Sequence, residues 1–171
     1  MKIAIIGYSG SGKSTLANFL GQHYNCEVLH LDKIHFTSNW QERTVDEMTD
    51  DISKCMLQKD WIIEGNYSTC LYEERMREAD CIVYFNFNRF NCLYRAFRRY
   101  LKYKGQTRPS MAENCKEKFD FEFVKWILLD GRSQKNVTKF KVVVEKYPDK
   151  TIVLKNQKQL NNYMKKVKKL L

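Results

Sequence analysis

Eight residues near the amino end, Gly7-Tyr8-Ser9-Gly10-Ser11-Gly12-Lys13-Ser14, are of the types and spacing that handle phosphate. They fit G-x-x-x-x-G-K-[ST], the phosphate-binding P-loop. Gly7, Gly10 and Gly12 lack Cβ, so the backbone can turn tightly and pass close to an anion. The N–H groups of the loop, with Ser9, Ser11 and Thr15 among its contact positions, and the N-terminus of the following helix face that anion. Lys13 reaches the β- and γ-phosphate oxygens of a nucleotide such as ATP, and the Ser14 hydroxyl ligates Mg²⁺.

Such a loop needs a strand before it and a helix after it. Lys2-Ile3-Ala4-Ile5-Ile6 is a short β-branched run, as a buried parallel strand should be. Ser14 to Leu20 opens a helix with Leu16, Phe19 and Leu20 on one face. Further along, Cys26 to Asp32 reads as a second strand and sets Asp32 at its carboxyl end, where α/β folds place ligands. Trp61-Ile62-Ile63 is a third strand and ends in Glu64, a second strand-end carboxylate. Cys81 to Phe85 and Thr151 to Leu154 read as strands four and five.

Helices fill the intervals. Thr44-Val45-Asp46-Glu47 is a capping box that starts a helix to about Leu57. A short charged helix covers about Leu71 to Ala79, and Arg89 opens a longer one on which Arg95, Arg98 and Arg99 share a face. Tyr103 to Phe119 is irregular, broken by Gly105, Pro109 and Asn114, and long enough to be a lid. Helices over Phe121–Leu129, Asn136–Glu145 and Gln157–Leu170 complete the chain. Alternation of strand and helix throughout implies one domain, a parallel three-layer α/β sandwich.

The chain has 171 residues and a formal net charge of +10. Nine Lys or Arg stand against two acids from Arg89 to Lys118, and seven Lys against none from Lys150 onward. That balance suits anionic partners: nucleotides, nucleic acid or anionic lipid. No apolar run is long enough to span a membrane, and the first strand begins at once, leaving no room for a signal peptide. The expected location is the cytoplasm. Six cysteines form no C-x-x-C pair, which disfavours a zinc ribbon. His30, Asp32 and His35 could suggest a metal, but a lone constellation of this kind is usually packing or a substrate pocket. Phe36, Trp40 and Tyr67 suit stacking on a base or sugar, or a role in a core or lid.

GYSGSGKSTLA, LHLDKIHF, WIIEGNY and the block NRFNCLYRAFRRYLKYKGQTRPSMAENCKEKFD resemble the small adenylate-kinase-like P-loop proteins labelled DNA topology modulation proteins. The likeness runs from Met1 to about Leu160. It implies a P-loop NTPase fold of the nucleoside-monophosphate-kinase type, a five-stranded parallel sheet in order 2-3-1-4-5, and a basic lid over about residues 100–119. Strand three then neighbours strand one, which sets Glu64 beside the P-loop to hold the waters of Mg²⁺. Asp32 falls to the phosphoryl acceptor, as base or hydrogen-bond acceptor. The resemblance puts Arg95 and Arg99 at the root of the lid, Arg108 in it and Arg132 on the returning helix, where arginines stabilise the charge of phosphoryl transfer. The expected function is a kinase acting on a small molecule or a nucleotide. The alternative is an ATP-binding, DNA-associated protein with little turnover. Neither the acceptor nor the oligomeric state is readable from the sequence.

Overall fold

A computed structural model describes residues 1–169. Its five strands are β1 (Lys2–Gly7), β2 (Val28–His30), β3 (Trp61–Glu64), β4 (Cys81–Phe85) and β5 (Thr151–Leu154). They form one parallel sheet in the order β2-β3-β1-β4-β5. β1 lies in the middle, and Ile3, Ala4, Ile5 and Ile6 are buried, which is why its sequence is a continuous apolar run and not an alternating one. Register carries function here. Ile5 pairs with Glu64, and Glu64 with His30, so both side chains reach the carboxyl edge of the sheet beside the loop that follows β1.

Eight α-helices flank the sheet: α1 (Lys13–Tyr24), α2 (Leu31–His35), α3 (Val45–Met56), α4 (Tyr72–Glu78), α5 (Arg89–Tyr103), α6 (Phe121–Leu128), α7 (Gln134–Lys146) and α8 (Gln157–Lys168). α3 starts as its sequence predicts: Glu47 N–H donates to Thr44 Oγ1 at 3.3 Å, and Thr44 N–H to Glu47 Oε2 at 3.0 Å. Met48, Ile52 and Met56 are its buried stripe, while Val45 is exposed. The expected end of the last helix at Leu170 lies outside the described residues. None of the described helices is long and apolar enough to cross a membrane.

The second strand departs from its sequence pattern. It stops at His30 instead of Asp32, and Leu31–His35 coils into α2. β2 is an edge strand whose one neighbour among the described residues is β3, and β3 ends at Glu64, opposite His30. Past that pair no ladder partner remains, so the chain turns and buries Leu31 completely. Asp32 therefore sits in the first turn of a short helix, and it does not alternate with His30 along a strand.

The lid segment also starts later than expected, because α5 continues to Tyr103. Residues 104–120 contain no helix or paired strand. Two isolated bridges, Lys104 with Glu117 and Thr107 with Lys116, fold them back on themselves. Their tip makes a small apolar cluster of its own: Met111, Ala112 and Cys115 pack against Phe36 and Trp40, just after α2. The tip of this segment thus rests on the residues that follow α2. The rest of the apolar core is a single cluster around the sheet.

Candidate active site

The P-loop is wound around one carbonyl. Tyr8 O accepts from Ser11 N–H (3.3 Å), Ser11 Oγ (2.6 Å) and Lys13 Nζ (3.2 Å). Ser11 is fully buried by this, so its side chain supports the loop and does not face the cleft. Gly12 caps α1 at φ 100°, and a Cβ there would lie 2.2 Å from Arg95 Nη2. At Gly10, φ 76°, a Cβ would lie 2.4 Å from the Cys92 carbonyl, because α5 crosses directly over the loop. Gly7 is held from outside. Its N–H donates to Asn66 Oδ1 at 2.9 Å, and Asn66 Nδ2 donates to its carbonyl at 2.6 Å.

Asn66 is itself anchored. Lys139 Nζ donates to its carbonyl at 3.0 Å, and Arg75 donates to the carbonyls of Gly65 (3.3 Å) and Tyr67 (2.7 Å) on either side. Arg75 is completely buried and stacks on Tyr72; burial pushes its guanidinium down to about 10, still charged at neutral pH. Asn66→Ala should therefore loosen the loop by removing both of its hydrogen bonds to Gly7. A stability loss of about 1–3 kcal/mol is expected, with a raised nucleotide KM, checked by thermal melts beside saturation kinetics.

Glu64 sits 3 % exposed at the foot of the loop. Its Oε2 accepts from Ser14 Oγ at 3.0 Å and from His30 Nδ1 at 3.1 Å, and its Oε1 lies 3.8 Å from Lys13 Nζ. His30 Nε2 lies 2.8 Å from Asn18 Oδ1, which fixes the imidazole. Burial alone would raise the Glu64 carboxyl. The His30 hydrogen bond, the Lys13 charge and the Ser14 hydroxyl more than offset that and hold it below its ordinary 4.5. The sign follows: a depressed folded value adds stability above pH 4.5, and that stability is lost as pH falls through the folded value. Glu64→Gln should cost about 2 kcal/mol at neutral pH and flatten the acid limb of a stability profile, measured by denaturant melts across pH.

Two clefts meet at this point. One, of ≈ 960 Å³, runs along the P-loop and α1 under α5, between Gly10 and Phe19 on one side and Arg95, Arg98 and Lys102 on the other. The second, of ≈ 900 Å³, opens toward Phe36, Trp40, Tyr67 and Trp126. Both are lined by Lys13, Asp32, Glu64, Arg99 and Arg108, together with Ser9 and Phe123. Asp32 accepts from Tyr67 Oη at 3.2 Å and pairs with Arg108 Nη2 at 3.5 Å. Burial, with the Asp32 charge beside it, pushes the Tyr67 hydroxyl far up, so it stays a donor. Arg108 also pairs with Glu117 at 3.3 Å, and Arg99 donates from Nε to Glu117 Oε1 at 2.6 Å. Glu117 is buried, and it holds Arg99 of α5 and Arg108 of the segment after it in fixed planes.

Of the residues expected at the site, Ser9, Gly10, Gly12, Lys13, Ser14, Thr15, Asp32, Glu64, Arg95, Arg99 and Arg108 line these clefts. Gly7 and Ser11 lie behind the loop. Arg132, expected at the phosphates, lines neither cleft. It donates to the Phe87 carbonyl at 2.7 Å and the Ile127 carbonyl at 3.3 Å, and stacks 3.8 Å over the Tyr8 ring. A short turn, Asp130–Arg132, ends α6 there and leaves the guanidinium bracing the back of the P-loop. Arg89, at the start of α5, donates to the Leu128 carbonyl at 2.8 Å. The sequence reading missed Asn66 and Glu117, whose partners Gly7 and Arg99 lie 59 and 18 positions away, and Arg75, which reaches back 8 and 10 positions to carbonyls; only the run Glu64-Gly65-Asn66-Tyr67 at a strand end hinted at the first.

Ser14 and Glu64 offer two hard oxygen donors side by side, which fits Mg²⁺. Among the described residues no group of three or more His, Cys, Asp or Glu could hold a metal. An ion here would complete its shell with phosphate oxygens and water, as Mg²⁺ does.

No family model matches the chain, and no curated protein matches it. Among solved structures it is similar to shikimate kinase from Acinetobacter baumannii in complex with shikimate. The TM-score is 0.60 at 17% identity, covering 99% of this chain and 91% of that one. It is also similar to a gluconokinase from Sinorhizobium meliloti 1021, with TM-score 0.53 at 14% identity, over 99% and 92% of the two chains. Sheet order and these likenesses agree on one architecture, the three-layer α/β fold of P-loop kinases.

Proposed function

We propose that this chain is a P-loop phosphotransferase that moves the γ-phosphoryl group of ATP to a hydroxyl of a small acceptor. The observation that carries the reading is the junction of two clefts at Lys13, Asp32, Arg99 and Arg108. A nucleotide-binding switch needs one cleft; a transferase needs a donor cleft and an acceptor cleft that share their reacting end. Lys13 and the arginines there meet the charge on the transferring group, and Asp32 takes the proton of the attacking hydroxyl while Tyr67 orients it. Ser14 and Glu64 would hold Mg²⁺, which supplies charge neutralisation to the phosphates when bound.

The DNA-associated alternative gains less support. The arginines that could grip a backbone, Arg95, Arg98, Arg99 and Arg108, all line the donor cleft. The testing experiment is a screen of nucleosides, nucleotides and small hydroxyl compounds for ADP release above the ATP-only blank, with EDTA and Lys13→Ala as controls. Acceptor-dependent release that both controls stop supports transfer. Release that no acceptor stimulates overturns it.

A further inference from the structure

Glu117 is a buried carboxylate that binds two guanidiniums at once, from two different parts of the chain. Arg99, near the end of α5, gives it both Nε and Nη2, each 2.6 Å from Oε1. Arg108, from the segment after α5, sets Nε 3.3 Å from Oε2, an ion pair without hydrogen-bond alignment, while its Nη2 lies 3.5 Å from Asp32 Oδ2. Nη1 of each arginine has no protein partner among the described residues. Both arginines line both clefts, at the end where Lys13 and Asp32 also meet.

Two like charges at one place repel. Burial and the Arg108 charge both work against the charged form of Arg99, and the Glu117 charge works for it. Without a carboxylate between them the two cations would move apart, toward water. Fastening the segment does not depend on this carboxylate. Its tip is held by Met111, Ala112 and Cys115 against Phe36 and Trp40. Its two limbs are joined by backbone bonds: Glu117 N–H donates to the Gln106 carbonyl at 3.0 Å, and Thr107 bridges to Lys116. Buried ion clusters are a weak source of stability, because apolar residues of the same volume often do as well. What such a cluster supplies here is geometry. A guanidinium held along its Nε edge keeps its plane and aims its remaining N–H groups in one direction.

We infer that Glu117 is a positioning residue for the transferring group: it holds Arg99 and Arg108 so that their remaining N–H groups converge on the γ-phosphate of ATP where the clefts join. This rests on the phosphotransferase reading above. Glu117 makes and breaks no bond in the reaction and acts through the two arginines. It acts on Arg99 more, because Arg99 has no other ion-pair partner among the described residues, whereas Arg108 also has Asp32.

The test is calorimetric titration of the full chain in Mg²⁺ with two probes, ADP and β,γ-imido-ATP, which differ by the γ-phosphate. Wild type should bind the imido analogue about tenfold tighter than ADP. Glu117→Gln keeps the length of the side chain and an acceptor oxygen but removes the charge, and it should narrow that ratio about threefold or more. Arg99→Ala should narrow it at least as much. The double variant should lose less than about twofold beyond Arg99→Ala alone, since one residue acts through the other. A part in segment stability alone would lower Tm and leave the ratio where it was, so a thermal melt accompanies each titration. Where Glu117→Gln is unfolded at the assay temperature, Glu117→Asp is the second variant; it keeps the charge, draws it back by a methylene, and should narrow the ratio in the same way. A wild-type ratio near unity, an unchanged ratio in the folded variant, or full additivity with Arg99→Ala would each overturn the inference while nucleotide binding stands. No ADP binding, or ADP affinity that Lys13→Ala leaves unchanged, fails the P-loop reading and this inference with it, so the two failures are told apart.

Discussion

Lys13→Ala should lower phosphoryl transfer by about 10³-fold while leaving the fold in place. The side chain lies where the two clefts join, and among the described residues its ammonium makes one hydrogen bond, to Tyr8 O at 3.2 Å. Its other neighbour is Glu64 at 3.8 Å, which keeps the Ser14 and His30 hydrogen bonds when Lys13 is gone. A stability cost of about 1 kcal/mol is expected, or a fall in Tm of roughly 2–4 °C for a chain of this size. The rate cost is larger because the charge it meets grows in the transition state. ADP release with a working acceptor, run beside a thermal melt, separates the two. A variant with near wild-type turnover would remove the P-loop from the mechanism.

What the sequence made legible was set by local physics. β-branched apolar runs at Ile3–Ile6, Trp61–Ile63 and Cys81–Phe85 are strands because only a buried parallel sheet accepts such runs. The glycine spacing from Gly7 to Gly12 describes a loop that α5 crosses closely, a constraint that shows in composition. β2 was harder to read, since an apolar run says nothing about when its partner strand ends. Asp32 moved from a strand end to a helix turn for that reason, yet it still reaches the cleft.

Side-chain partners at long separation were not legible. Arg132 follows a helix that returns to the site, and its position in the chain suits a phosphate contact. The carbonyls of Phe87 and Ile127 and the Tyr8 ring lie nearer, and the guanidinium stacks there instead. Glu117 looked like one of two acids diluting a basic segment. In three dimensions it is the buried anchor of Arg99 and Arg108, which are 18 and 9 positions away in sequence. Arg75 sits in a helix that reads as charged and solvated, but its guanidinium reaches under the chain to the carbonyls of Gly65 and Tyr67. Periodicity reports which face of an element is buried; it carries no information on which carbonyl a long cation will find.

Asp32→Asn should lower acceptor phosphorylation by about 10²–10⁴-fold, the range for losing a general base. The substitution keeps the geometry. The new amide oxygen still accepts from Tyr67 Oη, and the side chain at this position is 43 % exposed, so packing changes little. What disappears is proton affinity and the ion pair to Arg108, which retains Glu117 at 3.3 Å. ATP affinity should stay within about threefold of wild type, because the donor cleft keeps Lys13, Arg95 and Arg99. Tyr67→Phe is the companion variant. It leaves the carboxylate and removes only its orienting hydrogen bond, so a loss of about tenfold or less is expected. If Asp32 takes the proton, kcat falls steeply in Asp32→Asn and the acceptor KM moves little. If KM rises instead while kcat holds, Asp32 binds the acceptor hydroxyl uniformly in ground and transition states, and the proton leaves by another route.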